Sequence, residues 1–122
     1  MKITHNKKLK KFIVQEGTKR VGYLKYNFPK DASAKNGNRN VQIEYIYVNP
    51  LHRRKGIASE LMSCMLEYAK DMVWISLWTG RQAEIDKSFS LYRKFGFKQK
   101  SVQEDYYEKG VSLRLFVRRM YK

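Results

Sequence analysis

Two strand-length apolar runs, VQIEYIYV (41–48) and VWISLW (73–78), stand on either side of a helical pattern. Strands joined through a helix cannot close as a hairpin, and a crossover of this kind sets them parallel. At least one parallel pair is therefore expected in the middle of the chain. In the first run, alternation places Val41, Ile43, Tyr45 and Tyr47 on one face and Gln42, Glu44, Ile46 and Val48 on the other. Pro50, with no N–H to donate, ends that ladder. The helix is expected from about Arg54 to Lys70, with Ile57, Leu61, Met65, Tyr68 and Met72 forming one buried stripe. The second run is continuous, as in a strand covered on both faces.

The remaining elements follow from the same signals. KKFIVQEGTKRVGYLKYNF reads as two strands around Glu16-Gly17-Thr18. PKDASAKNGNRN, rich in Asn, Gly, Asp and Ser, is a loop long enough to be a candidate mobile flap. A second helix is expected from about Ala83 to Phe95, with Ile85, Phe89 and Tyr92 on one face and Gly96 as its C-cap. FKQKSVQ and VSLRLFVRRM are two further strands joined through EDYYEKG. The expected order is β-β-β-α-β-α-β-β, one domain over residues 1–122.

Several function classes drop out early. No apolar run reaches the ~18 residues of a membrane span. The basic N-terminus lacks the apolar core of a secretory signal. Cys64 is the only cysteine. It flanks the helical stripe and reads as a small core residue, and a chain without disulfides suits the cytoplasm. His5 and His52 have no metal-ligand spacing with any Cys or acid, so no metal is expected. The formal charge is +15, from 26 Lys and Arg against 11 Asp and Glu. The excess lies in the flanks, since residues 41–80 carry 4 basic and 4 acidic side chains. Such a field favours encounter with anions: a phosphorylated cofactor, an acidic protein or a nucleic acid. Neither zinc-finger spacing nor an RNP1-type motif is present.

The segment VNPLHRRKGIASEL (48–61) carries the chemistry. It places Arg53, Arg54 and Lys55 at a helix start that already bears partial positive charge, a conflict an anionic partner would resolve. The first amides of a helix lack internal partners and can bind a phosphate. Gly56 lets the backbone approach a ligand closely, and Ala58 and Ser59 keep the first turn small. Charge-assisted bonds from Arg54 and Lys55 would add to this, which suits a pyrophosphate. The triphosphate loop G-x-x-x-x-G-K-[ST] is absent, as is the dinucleotide fingerprint G-x-G-x-x-G.

Arg53-x-x-Gly56-x-Ala58 resembles the pyrophosphate loop of the GNAT superfamily of N-acetyltransferases, whose pattern is Q/R-x-x-G-x-G/A. SLYRKFGF (90–97) is similar to the family's second signature, L-Y-x-x-x-G-F. Tyr92 follows Gly56 by 36 residues, a separation that family would give. The resemblance covers roughly residues 10–120. It implies an α/β GNAT-like (acyl-CoA N-acyltransferase) fold: a mixed central β-sheet with helices on both faces and a splayed parallel strand pair. The family's usual N-terminal strand and the helices after it are missing from this reading.

The resemblance also implies acetyl-CoA as cosubstrate. Backbone groups of Ile46, Tyr47 and Val48 would pair with the pantetheine arm. Arg53, Arg54, Lys55, Gly56, Ile57, Ala58 and Ser59 would hold the pyrophosphate. The Val48 N–H would face the developing oxyanion. Tyr92 maps onto the proton donor to the departing sulfur; the alternative is a core tyrosine beside Ile85 and Phe89. Glu44 is the candidate base, an acid inside an otherwise apolar strand; the alternative is a glutamate at a solvated sheet edge or paired with a lysine. Two positions depart from the family pattern, Ile85 where Asn is usual and Ser88 where Ala is usual. The isoleucine removes an amide expected near the pantetheine arm.

The implied reaction is direct acetyl transfer from CoA to a primary amine, small or peptidyl. Glu104, Asp105 and Glu108, with Tyr106 and Tyr107, would form an acidic, aromatic lip suited to a cationic acceptor; the alternative is an acidic turn on the surface. Two alternatives stay open: acetylation of aminoacyl-tRNA or another ribosome-associated target, and a non-catalytic module that binds nucleic acid or protein. A monomer and a homodimer both fit.

Overall fold

The structure is a computed structural model that describes residues 1–29, 40–87 and 89–120. Residues 30–39, all of the candidate flap but its two ends, and Ser88 lie outside the described residues.

β-Branched and aromatic runs separated by Gly-containing turns build one seven-stranded sheet, ordered β1-β2-β3-β4-β5-β7-β6. The strands are β1 (Lys2–Asn6), β2 (Lys11–Glu16), β3 (Lys19–Asn27), β4 (Asn40–Val48), β5 (Trp74–Trp78), β6 (Lys98–Glu108) and β7 (Val111–Arg119). β4 and β5 are the parallel pair that the intervening helix requires, and the other five pairings are antiparallel. β1 is an addition to the sequence reading. Its short polar sequence, KITHN, carries little strand signal, and pairing with β2 decides it. His5 stacks on Phe12 at 4.0 Å, and its Nε2 lies 2.7 Å from the Tyr26 hydroxyl.

The first helix, α1 (Ile57–Tyr68), begins three residues later than expected and packs on β2, β3 and β4. Ile57, Leu61, Met62 and Met65 are its buried residues. Tyr68 stands at the edge of the stripe, its ring edge-on to that of His5 with the centroids 4.4 Å apart. Cys64 packs partly against the core, as expected. Burial, and then the charge of Glu60, push its thiol above its usual range.

Three local readings are corrected. The second helix is two short ones, α2 (Arg81–Asp86) and α3 (Ser90–Lys94), because Lys87 adopts a left-handed conformation (φ 53°). The break separates the expected face. Phe89 and Tyr92 pack on Phe116, while Ile85 is 44% exposed. α3 ends one residue earlier than expected, with Phe95 as its C-cap and left-handed Gly96 just beyond: Gly96 N–H donates to the Arg93 carbonyl and Phe97 N–H to that of Tyr92, both at 3.0 Å. β5 alternates rather than being covered on both faces, with Ile75 and Leu77 buried and Trp78 exposed. β6 runs on through Glu108, absorbing the expected loop residues as a wide irregularity between Gln103 and Glu108.

A fourth correction concerns β4. Its register against β3 slips between Lys25 (opposite Tyr45) and Tyr26 (opposite Ile43), so Glu44 is an extra residue, a β-bulge. The bulge shifts the alternation. Val41 and Ile43 are buried, Ile46 and Val48 then pack on the core, and Tyr45 and Tyr47 point to solvent.

Candidate active site

The site begins where β4 and β5 part. Their pairing runs from Asn40↔Trp74 to Ile43↔Leu77 and stops. β3 stays on the other edge of β4 as far as Gly22↔Val48. Beyond Ile43, β4 therefore has one edge without a strand among the described residues. Asn49 N–H donates to the Val21 carbonyl of β3 at 2.8 Å. Successive peptide groups of a strand point to opposite edges, so Tyr47 turns its amide to β3 while Ile46 and Val48 turn theirs to the gap. Close approach of the two strands is needed here, since a Cβ on Gly22 would lie 2.8 Å from the Tyr47 carbonyl oxygen.

At one end of the gap lies the basic turn. Asn49 Oδ1 accepts from Leu51 N–H at 3.0 Å and starts a 3-10 turn over Pro50–His52. Arg54 (φ 67°) and Gly56 (φ 77°) then both adopt left-handed backbone, an arrangement that can turn successive amides to one side as an anion nest. Gly56 is the N-cap of α1, without a side-chain cap. The first helical bond is Glu60 N–H to the Gly56 carbonyl at 3.0 Å, so the Ile57, Ala58 and Ser59 amides precede any intrahelical partner. These residues, with Val48, His52, Arg53 and Arg54, line a hollow of about 390 Å³. Arg53 Nε reaches back to the Val48 carbonyl at 3.3 Å, while Arg54 and Lys55 are exposed.

A groove leads from this hollow along β4. A cavity of about 570 Å³ adjoins it through Val48, Arg53, Ala58, Ser90 and Leu91, and reaches Ile46, Tyr47 and Tyr92. The next, about 330 Å³, shares Ile46, Gln82, Ala83 and Tyr92 and reaches Glu44. An unpaired strand edge ending at unpartnered helix amides is what an extended thioester arm carrying a diphosphate requires. Tyr92 lines both cavities, so the tyrosine lies on the groove and on the core at once, its ring 5.4 Å from Phe116. Burial, and then the charge of Glu84, hold its phenol above the usual tyrosine range, so it keeps its proton at neutral pH.

Glu44 sits at the bulge. Asn27 Nδ2 donates to its Oε1, and Lys25 Nζ lies 3.4 Å from its Oε2. The lysine partner weighed from sequence is therefore present, and Glu44 also lines cavities on both sides of the opened sheet. The second cavity is about 390 Å³ and involves Gln42, Tyr45, Trp78, Thr79, Gly80 and Tyr107. Gln42 and Trp78 alternate with buried Ile43 and Leu77, which puts this cavity on the sheet face away from the core. The structure thus brings together Tyr92, Glu44, Ile46 and Val48 around the gap, and Arg53, Gly56, Ile57, Ala58 and Ser59 at its end.

Sequence reasoning missed Trp78, Thr79, Gln82 and Ala83 as lining residues. The apolar run around Trp78 signals a buried strand, and the strand's end at the gap leaves no mark in composition. Glu84 was also missed. It is 7% exposed and accepts from Arg114 Nε at 3.1 Å, and its Oε2 has no hydrogen-bond partner among the described residues. Arg114 lies over the Phe89 ring at 5.4 Å, tying α2 and the segment before α3 to β7. From the hairpin, Tyr107 donates to the Thr79 carbonyl at 2.7 Å, and Glu108 pairs with Arg81. Asp105 Oδ1 accepts from Gly110 N–H at 2.7 Å, so this acid serves its own turn. Among the described residues no cluster of three or more His, Cys, Asp or Glu is placed to hold a metal, and no helix is long and apolar enough to cross a membrane.

A splayed parallel pair beside a glycine-capped helix defines an acyl-CoA-type transferase fold. The acetyltransferase (GNAT) family profile matches residues 2–97, and the chain belongs to that family. Solved structures agree on the fold. An N-acetyltransferase from Staphylococcus aureus Mu50 superposes with a TM-score of 0.75 at 21% identity, over 91% of this chain and 67% of the other. The ribosomal-protein-S18-alanine N-acetyltransferase from Escherichia coli gives 0.74 at 13% identity, over 92% and 69%. The yncA protein from Salmonella typhimurium, solved with its cofactor acetyl-CoA, gives 0.74 at 17% identity, over 92% and 65%. None of the curated protein sequences matches this one.

Proposed function

We propose that the protein transfers an acetyl group directly from acetyl-CoA to a primary amine. The observation that carries this reading is the parting of β4 from β5 after Ile43↔Leu77, which turns the Ile46 and Val48 amides toward a groove that ends at Tyr92. The amides of Ile57, Ala58 and Ser59 hold the pyrophosphate, with Arg53, Arg54 and Lys55 supplying charge. The free edge at Ile46 and Val48 takes the pantetheine arm as a missing strand. Ile85, exposed and turned out of the helix face, supplies no amide in place of the usual asparagine.

Glu44 accepts a proton from the incoming ammonium, directly or through a water. The freed amine attacks the thioester carbon, forming the C–N bond. The Val48 N–H steadies the oxyanion that develops. As the C–S bond breaks, Tyr92 gives its proton to the sulfur, and the proton still to leave the nitrogen restores the phenol. One proton per turnover reaches solvent through Glu44.

A thiol-release assay over a panel of amines tests this. Turnover with at least one amine, lost in Glu44→Gln most severely at low pH where free amine is scarce, is the expected result. No release with any amine, or an unaltered Glu44→Gln profile, overturns the transfer reading or the base respectively.

A further inference from the structure

The cavity on the outer face of the sheet adjoins the inner end of the cofactor groove, with which it shares Ile43, Glu44, Tyr45, Trp78 and Gly80. Tyr45, Trp78 and Tyr107 contribute three aromatic side chains, Glu44 a carboxylate, and among the described residues neither Lys nor Arg lines it. That composition stands out in a chain with a formal charge of +15. Tyr107 is fixed by its bond to the Thr79 carbonyl at 2.7 Å and by the Tyr106 ring, edge-on at 5.0 Å. Burial, followed by electrostatic interaction with Tyr106, Glu84 and Tyr45, raises the pH at which its phenol ionises, so the ring stays neutral and keeps an electron-rich face. Tyr45 and Trp78 are 63% and 41% exposed, which leaves the cavity open to a solute. Its carboxylate already attracts an ammonium group, that of Lys25 at 3.4 Å.

We propose that this cavity recognises the acceptor as an alkylammonium ion, held against the aromatic rings and drawn toward Glu44. Cations over aromatic faces gain most when water is excluded, and aromatic boxes are a general solution for ammonium groups. The substrate class is then an aliphatic amine on a slender chain free of nearby anions: a diamine, a polyamine or a lysine side chain. An α-amino acid is disfavoured because its own carboxylate would lie against Glu44. An arriving ammonium replaces Lys25 Nζ at Glu44 and there gives up the proton that begins the transfer. That the ion is an acceptor rests on the acetyl-transfer reading; that the cavity binds cations does not.

Calorimetric titration without acetyl-CoA separates the two. Choline and its neutral isostere 3,3-dimethylbutan-1-ol differ in charge and hardly in shape. Choline should bind at least about tenfold more tightly than the alcohol. Trp78→Leu and Tyr45→Leu, both at exposed positions, should each weaken choline binding, and Lys25→Gln, which removes the resident ammonium, should tighten it. Equal affinity for the two compounds, no choline binding, or weaker binding in Lys25→Gln overturns the proposal. Choline binding by a protein that releases no CoA with any amine would support the cavity assignment and count against acetyl transfer alone.

Discussion

At the residue scale, Tyr92 and Gly56 carry the sharpest consequences. Tyr92→Phe should lower kcat by about 10²–10⁴-fold with little change in the KM for acetyl-CoA, because the hydroxyl acts only as sulfur departs. Burial and Glu84 raise the pH at which the phenol ionises, so the wild-type rate should fall on the alkaline side only above the range of a free tyrosine. That limb should vanish in the phenylalanine variant, as a pH profile of kcat would reveal. Gly56→Ala tests a different cause. No protein atom lies within 4 Å of where the new Cβ would sit, but the backbone is left-handed at φ 77°. The substitution should cost about 1–2 kcal/mol in chemical denaturation and raise the KM for acetyl-CoA, since the amides it sets are those of the phosphate hollow. Both residues were legible in the sequence because each belongs to a spaced pattern. Glu84 was not, because one of two acids in RQAEID looks like any solvated helix residue until Arg114, thirty positions on, is folded against it.

Elements were legible where periodicity was long and local, and obscure where pairing decided. The β4–α1–β5 crossover follows from two apolar runs and a helical stripe. The bulge at Glu44 does not, because the slip is set by pairing with β3 and the apolar run carries no mark of where its alternation shifts. The break between α2 and α3 is hidden for a similar reason: a left-handed Lys87 has no glycine or proline to announce it. The Glu84–Arg114 pair anchors α2 to β7 across that break, with side-chain exposures of 3% and 29%. Arg114→Met should destabilise the fold by about 3–5 kcal/mol because it strands a buried carboxylate, and Glu84→Leu in the same chain should recover most of the loss. A double-mutant cycle read by urea denaturation measures this, and additive losses would show that the pair is not coupled.

At the scale of the whole molecule, the formal charge of +15 acts on encounter more than on chemistry. Raising ionic strength from about 0.01 to 0.15 M shortens the screening length from about 30 to 8 Å. It should lower kcat/KM for acetyl-CoA while leaving kcat nearly constant in steady-state assays. The architecture joins the two faces of one sheet at a single opening: a basic groove on the core side, an aromatic cavity on the other, and Glu44 between them. All of this depends on the opening between β4 and β5 being a cofactor seat. Backbone amide spectra recorded with and without millimolar CoA test that most directly. The account predicts that Ile46, Val48, Ile57, Ala58 and Ser59 shift together and gain protection from hydrogen exchange. If CoA leaves those five amides unmoved, or perturbs only exposed lysine-rich segments elsewhere, the account is contradicted.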